Sequence, residues 1–159
     1  MSASKPRTMI SIIERILLAF WVGGMWTVAY LAVPILFGSL DDRRLAGELA
    51  GHMFSGIYII GLIAGLVLLF GNIYLLGREW IRTWQNWALI LMLVFVCVGH
   101  FGLQPLMQEL KMQGELIEGS EQARQFGRLH GISSLLYLVT SLLGLSLLIF
   151  GLRRKGERT

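Results

Sequence analysis

The sequence predicts an all-α membrane protein, a four-transmembrane-helix bundle with short amphipathic helices in its outer loops, and three observations carry that prediction. Four long apolar runs, Ile16 to Phe37, Met53 to Leu76, Trp87 to Leu103 and Ile132 to Leu152, fill most of the 159 residues. A bilayer core needs roughly 20 apolar residues per helix, so each run can cross it, the third with help from its flanks. Hydrophobic residues make up 55% of the chain and charged ones only 15%, with a mean hydropathy of +0.64, beyond what a soluble domain of this size carries. The charges fall in the short segments between the runs. The expected organisation is one integral membrane domain over 1–159, with spans near 16–37, 53–76, 84–106 and 130–152.

In the first span, Lys5, Arg7 and Arg15 precede the apolar stretch as they would in a secretory signal. The stretch exceeds the roughly 7 to 15 residues of a signal core and closes with Pro34-Ile-Leu-Phe instead of a small-x-small site, so an uncleaved span is expected. Pro34 should bend or end this helix, and Gly23 and Thr27 allow close backbone approach. Ser39 followed by Asp42 gives a capping-box-like start, and Leu45, Leu49 and Met53 continue at helical spacing, so a short amphipathic helix should lead into the second span. Within that span lie Gly61-x-x-x-Gly65 and, about one turn from its inner end, Asn72, placed for an interhelical hydrogen bond.

Trp80, Trp84 and Trp87 lead into the third span at spacings of four and three, with Tyr74 close by, which is an interfacial anchor or plain packing. Leu106, Met107 and Leu110 carry the third helix past the membrane. Gly114, Gly119 and Ser120 then offer turns before a second short helix enters the fourth span, which contains Thr140-x-x-x-Gly144. The small-residue pairs suit contacts within the chain or a homodimer, and a short chain must first pack its own helices. No internal repeat and no low-complexity tract is visible.

A net charge of +4 and a pI near 9.6 raise nucleic acid as a partner, but the basic residues sit between spans and not on one face, so no nucleic acid is expected. The partners implied are the lipid bilayer and a membrane protein or second copy. The two tails and the middle loop hold nine Lys and Arg (Lys5, Arg7, Arg15, Arg78, Arg82, Arg153, Arg154, Lys155, Arg158) against five in the other loops (Arg43, Arg44, Lys111, Arg124, Arg128). That bias is expected to place both termini in the cytoplasm. Cys97 is the single cysteine, so a disulfide framework is excluded and a small buried apolar role fits. Glu14 and Arg15 read as boundary residues that snorkel to water.

Imposing that topology brings His52, His100 and His130 to similar depth near the outer face, with Tyr30, Tyr58 and Tyr137 one to two turns below and Gln104 one turn from His100. Imidazoles on separate helices at one depth are how bundles hold haem or metal. Copper would also accept thioether sulfur from Met53, Met107 or Met112. The alternative is interfacial hydrogen bonding and packing, since no His-x-x-x-His or Glu-x-x-His pair is present. Transport is a third possibility, with His100 the one clear intramembrane ionisable residue. No Walker loop, zinc-protease motif, nucleophile elbow or dinucleotide fingerprint occurs, so a non-enzymatic membrane component is expected, with a haem- or copper-binding protein or a small-solute or ion transporter as alternatives.

The stretches Trp21-Val-Gly-Gly-Met-Trp, Pro34-Ile-Leu-Phe, Leu45-Ala-Gly, Gly51-His-Met-Phe, His100-Phe-Gly-Leu-Gln-Pro-Leu-Met and Leu129-His-Gly-Ile-Ser-Ser-Leu-Leu-Tyr occur in that order. Together they resemble the bacterial inner-membrane family catalogued as domain of unknown function 4149, also called transmembrane protein 205-like, over about residues 12 to 152. The resemblance implies a small four-helix membrane protein and carries no biochemical activity with it. It singles out Trp21, Gly24, Pro34, Phe54, Gln104, Pro105, His130, Gly131, Ser134 and Tyr137 as motif residues, while His52 and His100 are less secure as family positions.

Overall fold

In hydrocarbon a lone segment satisfies all its backbone N–H and C=O groups only as a helix. The computed structural model describes residues 4–114, 117 and 119–152, with side chains from residue 9, and every regular element among them is helical. Helix α1 (Ser4–Trp26) runs through a π-helical turn, Thr27–Ala32, into α2 (Val33–Ser39). Helix α3 (Arg43–Leu76) ends at Gly77, whose φ of 54° lies in the region favouring glycine, and a 3-10 turn, Gly77–Arg82, follows. Helix α4 (Trp84–Cys97) passes through a second π turn, Val98–Leu103, into α5 (Gln104–Met112), and α6 (Glu121–Phe150) completes the chain. Four continuous rods result, Met9–Ser39, Arg43–Arg82, Trp84–Met112 and Glu121–Phe150, each long and apolar enough to cross a membrane.

The amphipathic segments of the two long loops are helical and fused to the spans they were expected to precede or follow. The start of α3 differs from the Ser39 capping box: Asp42 is the cap, its carboxylate accepting from the backbone N–H of Arg44 at 2.8 Å and of Leu45 at 3.1 Å. Ser120 caps α6 in the same way, its hydroxyl accepting from Ala123 N–H at 3.0 Å. Lys111 ties the loop end together, donating to the Gly47 carbonyl at 3.1 Å and lying 5.5 Å over the Phe126 ring.

The first and third rods each pack on the second and fourth, so the bundle is a ring in chain order with rods one and three diagonally opposed. Lipid tails are as apolar as leucine, so this ring is held by close packing and hydrogen bonds, not by expulsion of water. Leu18, Trp21, Met25, Leu68, Leu89, Met92 and Leu147 fill its centre. The Trp21 indole lies where a Cβ on Gly61 would sit, and an ideal Cβ on Gly65 would stand 2.5 Å from Leu93 Cδ2, so both glycines of that motif serve contacts within the chain. In the first rod the close approach is at Gly24, against Ile57; Gly23, expected in that role, faces open space and gives its carbonyl to the Thr27 hydroxyl at 2.8 Å.

Pro34 does not end its helix. A proline lacks the N–H for the helical ladder, and its ring crowds the carbonyl four residues back. Widening the preceding turn by one residue makes the room, with Val33 N–H reaching back to Val28 O. Pro105 sits behind an identical device, with Gln104 N–H on Gly99 O.

These two interruptions overturn the expectation that the chain holds no repeat. The 71-residue shift that carries Pro34 onto Pro105 also carries Thr27–Ala32 onto Val98–Leu103. It superposes buried Leu18, Trp21, Val22 and Met25 on buried Leu89, Met92, Leu93 and Val96. In the second and fourth rods a 79-residue shift carries Ser55, Tyr58, Gly65 and Leu68 onto Ser134, Tyr137, Gly144 and Leu147. Contacts repeat as well as positions: Gly65 receives Leu93 as Gly144 receives Val22, the counterpart of Leu93. The two hairpins thus share one pattern of buried positions, π turns and glycine contacts, first rod onto third and second onto fourth.

Candidate functional site

On a straight helix one interior stripe recurs at steps of three and four, so a single stripe from each rod lines the bundle axis. Along that axis the structure places two polar layers, one near the loop end and one near the tail end, separated by the apolar centre.

The loop-end layer is built from Tyr58 and Tyr137, whose rings meet edge to face at 6.1 Å across the axis. Each tyrosine reaches from its own hairpin to the interrupted helix of the other. The Tyr137 hydroxyl donates to the Met25 carbonyl at 2.8 Å, just before the first π turn. The Tyr58 ring lies against Gly99 inside the second π turn, where an ideal Cβ would fall 2.9 Å from its hydroxyl, and the Ser133 side chain stands beside that hydroxyl. Phe54 packs edge-on to Tyr137 at 5.2 Å. His100, half-buried on the second π turn, approaches Tyr58 at 6.1 Å, and its Nδ1 lies 3.5 Å from the Ser55 hydroxyl, the outer limit of a hydrogen bond. The repeat places Ala29 where the first hairpin would carry His100's counterpart, so the imidazole has no equivalent there.

Of the other histidines, His130 is exposed and stacked on Phe126 at 6.0 Å, and His52 is exposed. Among the described residues no group of three or more His, Cys, Asp or Glu side chains is placed to share a metal ion. Met107 is buried while Met112 is exposed, and Tyr30 turns outward onto Trp26 at 5.9 Å. Of the motif residues, Trp21, Gly24, Phe54 and Tyr137 belong to the packed interior. Pro34, Gln104 and Pro105 form the exits of the π turns, and His130, Gly131 and Ser134 are exposed on α6. Cys97 is a half-buried free thiol. An open cleft of about 440 Å³ lies between α5 and α6, floored by Leu106, Leu110 and Leu129 and edged by Glu109 and Arg128.

The tail-end layer holds Asn72, Asn86, Thr83, Gln85 and Glu14, all buried. Asn72 Nδ2 donates to Asn86 Oδ1 at 2.8 Å, joining the second and third rods as expected of Asn72. Asn86 Nδ2 is shared between Thr83 Oγ1 at 2.7 Å and the Trp80 carbonyl at 2.8 Å, which fixes the 3-10 turn onto α4. Around it Trp80 stacks on Trp87 and Trp84 packs on Phe150. Glu14 corrects the boundary reading: it is 9% exposed and lies on the interior stripe of Leu18, Trp21 and Met25. The spacing that signals this is in the sequence, four residues before Leu18, but adjacency to Arg15 masks it.

The family described as domain of unknown function (DUF4149) matches residues 16–116. That match includes His52, His100 and both π turns, and leaves His130, Gly131, Ser134 and Tyr137 outside it. No curated protein and no solved structure matches the chain.

Proposed function

The chain belongs to the family of domain of unknown function 4149, and from that premise we propose that it is a non-enzymatic component of the bacterial inner membrane that passes a small solute or ion between its two hairpins. One observation carries this reading: two helices interrupted at equal depth on opposite sides of the axis, each locked by a tyrosine from the other hairpin. A π turn followed by proline leaves a carbonyl of the preceding turn without its helical donor, and such interruptions are tolerated inside a membrane where protein or a polar path covers them. Repeats that meet at a central axis are also the usual frame for movement of one half against the other. His100 supplies the ionisable group, at a point where the other half carries Ala29.

In this reading the tails are cytoplasmic, supported by nine basic residues on their side against five on the other, and the loop end is the outer mouth. The haem or copper alternative needs two or more imidazoles on one centre, and His52 and His130 stand exposed while His100 faces Ser55 and Tyr58.

The test is reconstitution into liposomes on a solid-supported membrane, after an absorption spectrum and metal analysis of the same preparation. Steps in alkali cations, protons, and small organic acids and amines are applied. The expected result is a current above protein-free liposomes for at least one of them, lowered at least tenfold in His100→Ala. Currents equal to empty liposomes throughout, or a stoichiometric Soret band or metal lost in His130→Ala, would sink the transport reading.

A further inference from the structure

Passage between the hairpins leaves the cleft between α5 and α6 without a task. Its volume of about 440 Å³ falls within the range of small-molecule pockets, about 300–1,000 Å³. Leu106, Leu110 and Leu129 floor it, and Glu109, Gln113, Gln125 and Arg128 edge it. Its walls are tied together: Gln122 Nε2 on α6 donates to the Leu110 carbonyl at 2.8 Å, and Lys111 lies over the Phe126 ring. Glu109 and Arg128 line the cleft from opposite helices yet make no ion pair with each other. Opposite charges left open on one cleft are what a ligand carrying both signs would meet.

The polarity of the two walls runs the same way. Moving away from the membrane centre, α5 presents Leu106, then Glu109 and Leu110, then Gln113; α6, which runs in the opposite sense, presents Leu129, then Arg128, then Gln125. Each wall passes from leucine to glutamine within one to two helical turns. Toward the membrane centre the same two helical rods continue with exposed Phe101, Ile132 and Leu135. The cleft therefore has a polar upper end and an apolar lower end that leads to lipid-facing surface. That gradient matches an amphiphile standing along the membrane normal, with its head at the loop end and its chain toward the centre, and not a solute that is polar on all sides.

We propose that the cleft binds one phospholipid with a primary-amine headgroup, its phosphate on Arg128, its ammonium on Glu109 and the start of an acyl chain over Leu106 and Leu129. Charge selects the headgroup. One acid and one base leave the edge neutral, which favours a zwitterion over an anionic lipid. The guanidinium fork matches phosphate oxygens, and a primary ammonium brings N–H donors to the carboxylate. A quaternary choline has no N–H to offer and is held by aromatic faces, and no aromatic side chain lines this cleft. The Gln113 and Gln125 amides can donate to the remaining phosphate and ester oxygens. His100 does not line the cleft, and the site is defined by equilibrium binding, so it stands or falls independently of flux through the bundle.

The experiment is native mass spectrometry of the full chain in mild detergent, titrated with phosphatidylethanolamine, phosphatidylcholine and phosphatidylglycerol of identical acyl chains. The expected result is a saturable first adduct with phosphatidylethanolamine, favoured about threefold or more over the other two, the scale of one solvent-facing ion pair. Glu109→Gln should bring phosphatidylethanolamine down to the level of phosphatidylcholine, and Arg128→Gln should weaken the first adduct of all three. Both side chains are exposed, so the two variants test the cleft and not the packing of the bundle. Equal first adducts for the three lipids, a preference for phosphatidylglycerol, or a preference unchanged in Glu109→Gln would overturn the proposal. Displacement of the lipid by free phosphoethanolamine would overturn it in favour of a soluble zwitterion. A dimer that either variant disperses, with no lipid adduct, would overturn it in favour of a second copy of the chain.

Discussion

Substituting Gly61 by alanine places one methyl group against the most enclosed aromatic ring of the bundle. An ideal Cβ there overlaps Nε1 and Cε2 of the Trp21 indole and comes within 3.1 Å of Cδ1. The ring cannot swing away, because it is 1% exposed and its far edge already lies 3.1 Å from where a Cβ on Gly65 would stand. Overpacking a core costs about 1–3 kcal/mol, and a rigid ring held between two glycines belongs at the upper end. Alanine in place of glycine in a helix interior returns about 0.8–1.0 kcal/mol, leaving Gly61→Ala about 2 kcal/mol less stable than wild type. Gly56→Ala on the same helix meets nothing within 4 Å and keeps only the gain, so the two variants should differ by about 3 kcal/mol. At about 2–4 °C per kcal/mol for a chain of this size, Gly61→Ala should unfold about 4–8 °C below wild type. Thermal unfolding in detergent, read by the loss of the monodisperse peak on size-exclusion chromatography, measures it. Adding Trp21→Leu to Gly61→Ala should recover part of the loss as a coupling energy. If Gly61→Ala unfolds at or above Gly56→Ala, the packing of Trp21 into the Gly61–Gly65 groove is refuted.

Two further outcomes follow from the hydrogen bonds that join the rods. Tyr137→Phe removes the 2.8 Å bond to the Met25 carbonyl and should cost about 0.6–1.7 kcal/mol in equilibrium unfolding, from the mean to the maximum for interhelical bonds inside membranes; an unchanged stability would show that the bond does not hold the hairpins together. Asn86→Ala strands the Asn72 amide, while the Trp80 carbonyl keeps the Thr83 hydroxyl at 3.0 Å, and with the orphaned amide worth about 1–3 kcal/mol it should rank among the most damaging polar substitutions in the chain. Removing both asparagines should cost less than the sum of the two single changes, and strict additivity would contradict the bond between them.

The local rules carried the fold a long way. Apolar run length indicated four rods, Ser120 and the glycines around it marked the last turn, and Pro34 marked where the first helix changes. What the prolines do was not legible: Pro34 alone reads as a bend or an end of its helix, and only the widened turn behind it, held in register by Tyr137 and the packed centre, lets the helix continue. The repeat is not legible in the sequence for a related reason. Its two halves share burial positions and geometry while Trp21 matches Met92 and Ala29 matches His100, so identity is low where environment is equal. Of the candidate site, the sequence supplied the chemistry of His52, His100 and His130, but not the directions of their rings.

Hydropathy and helical periodicity are properties of neighbouring residues, and they determined by themselves that this chain is a helical membrane protein of four rods. Which side chains meet across the axis depends on rotation of each rod against the others, a quantity set by contacts between residues far apart in sequence. That rotation, decided where Trp21 enters the Gly61–Gly65 groove and Val22 approaches Gly144, turns Glu14 inward, orphans the oxygens of Asn72 and Gln85, and brings Tyr58 to Tyr137 while His52 and His130 stay outside.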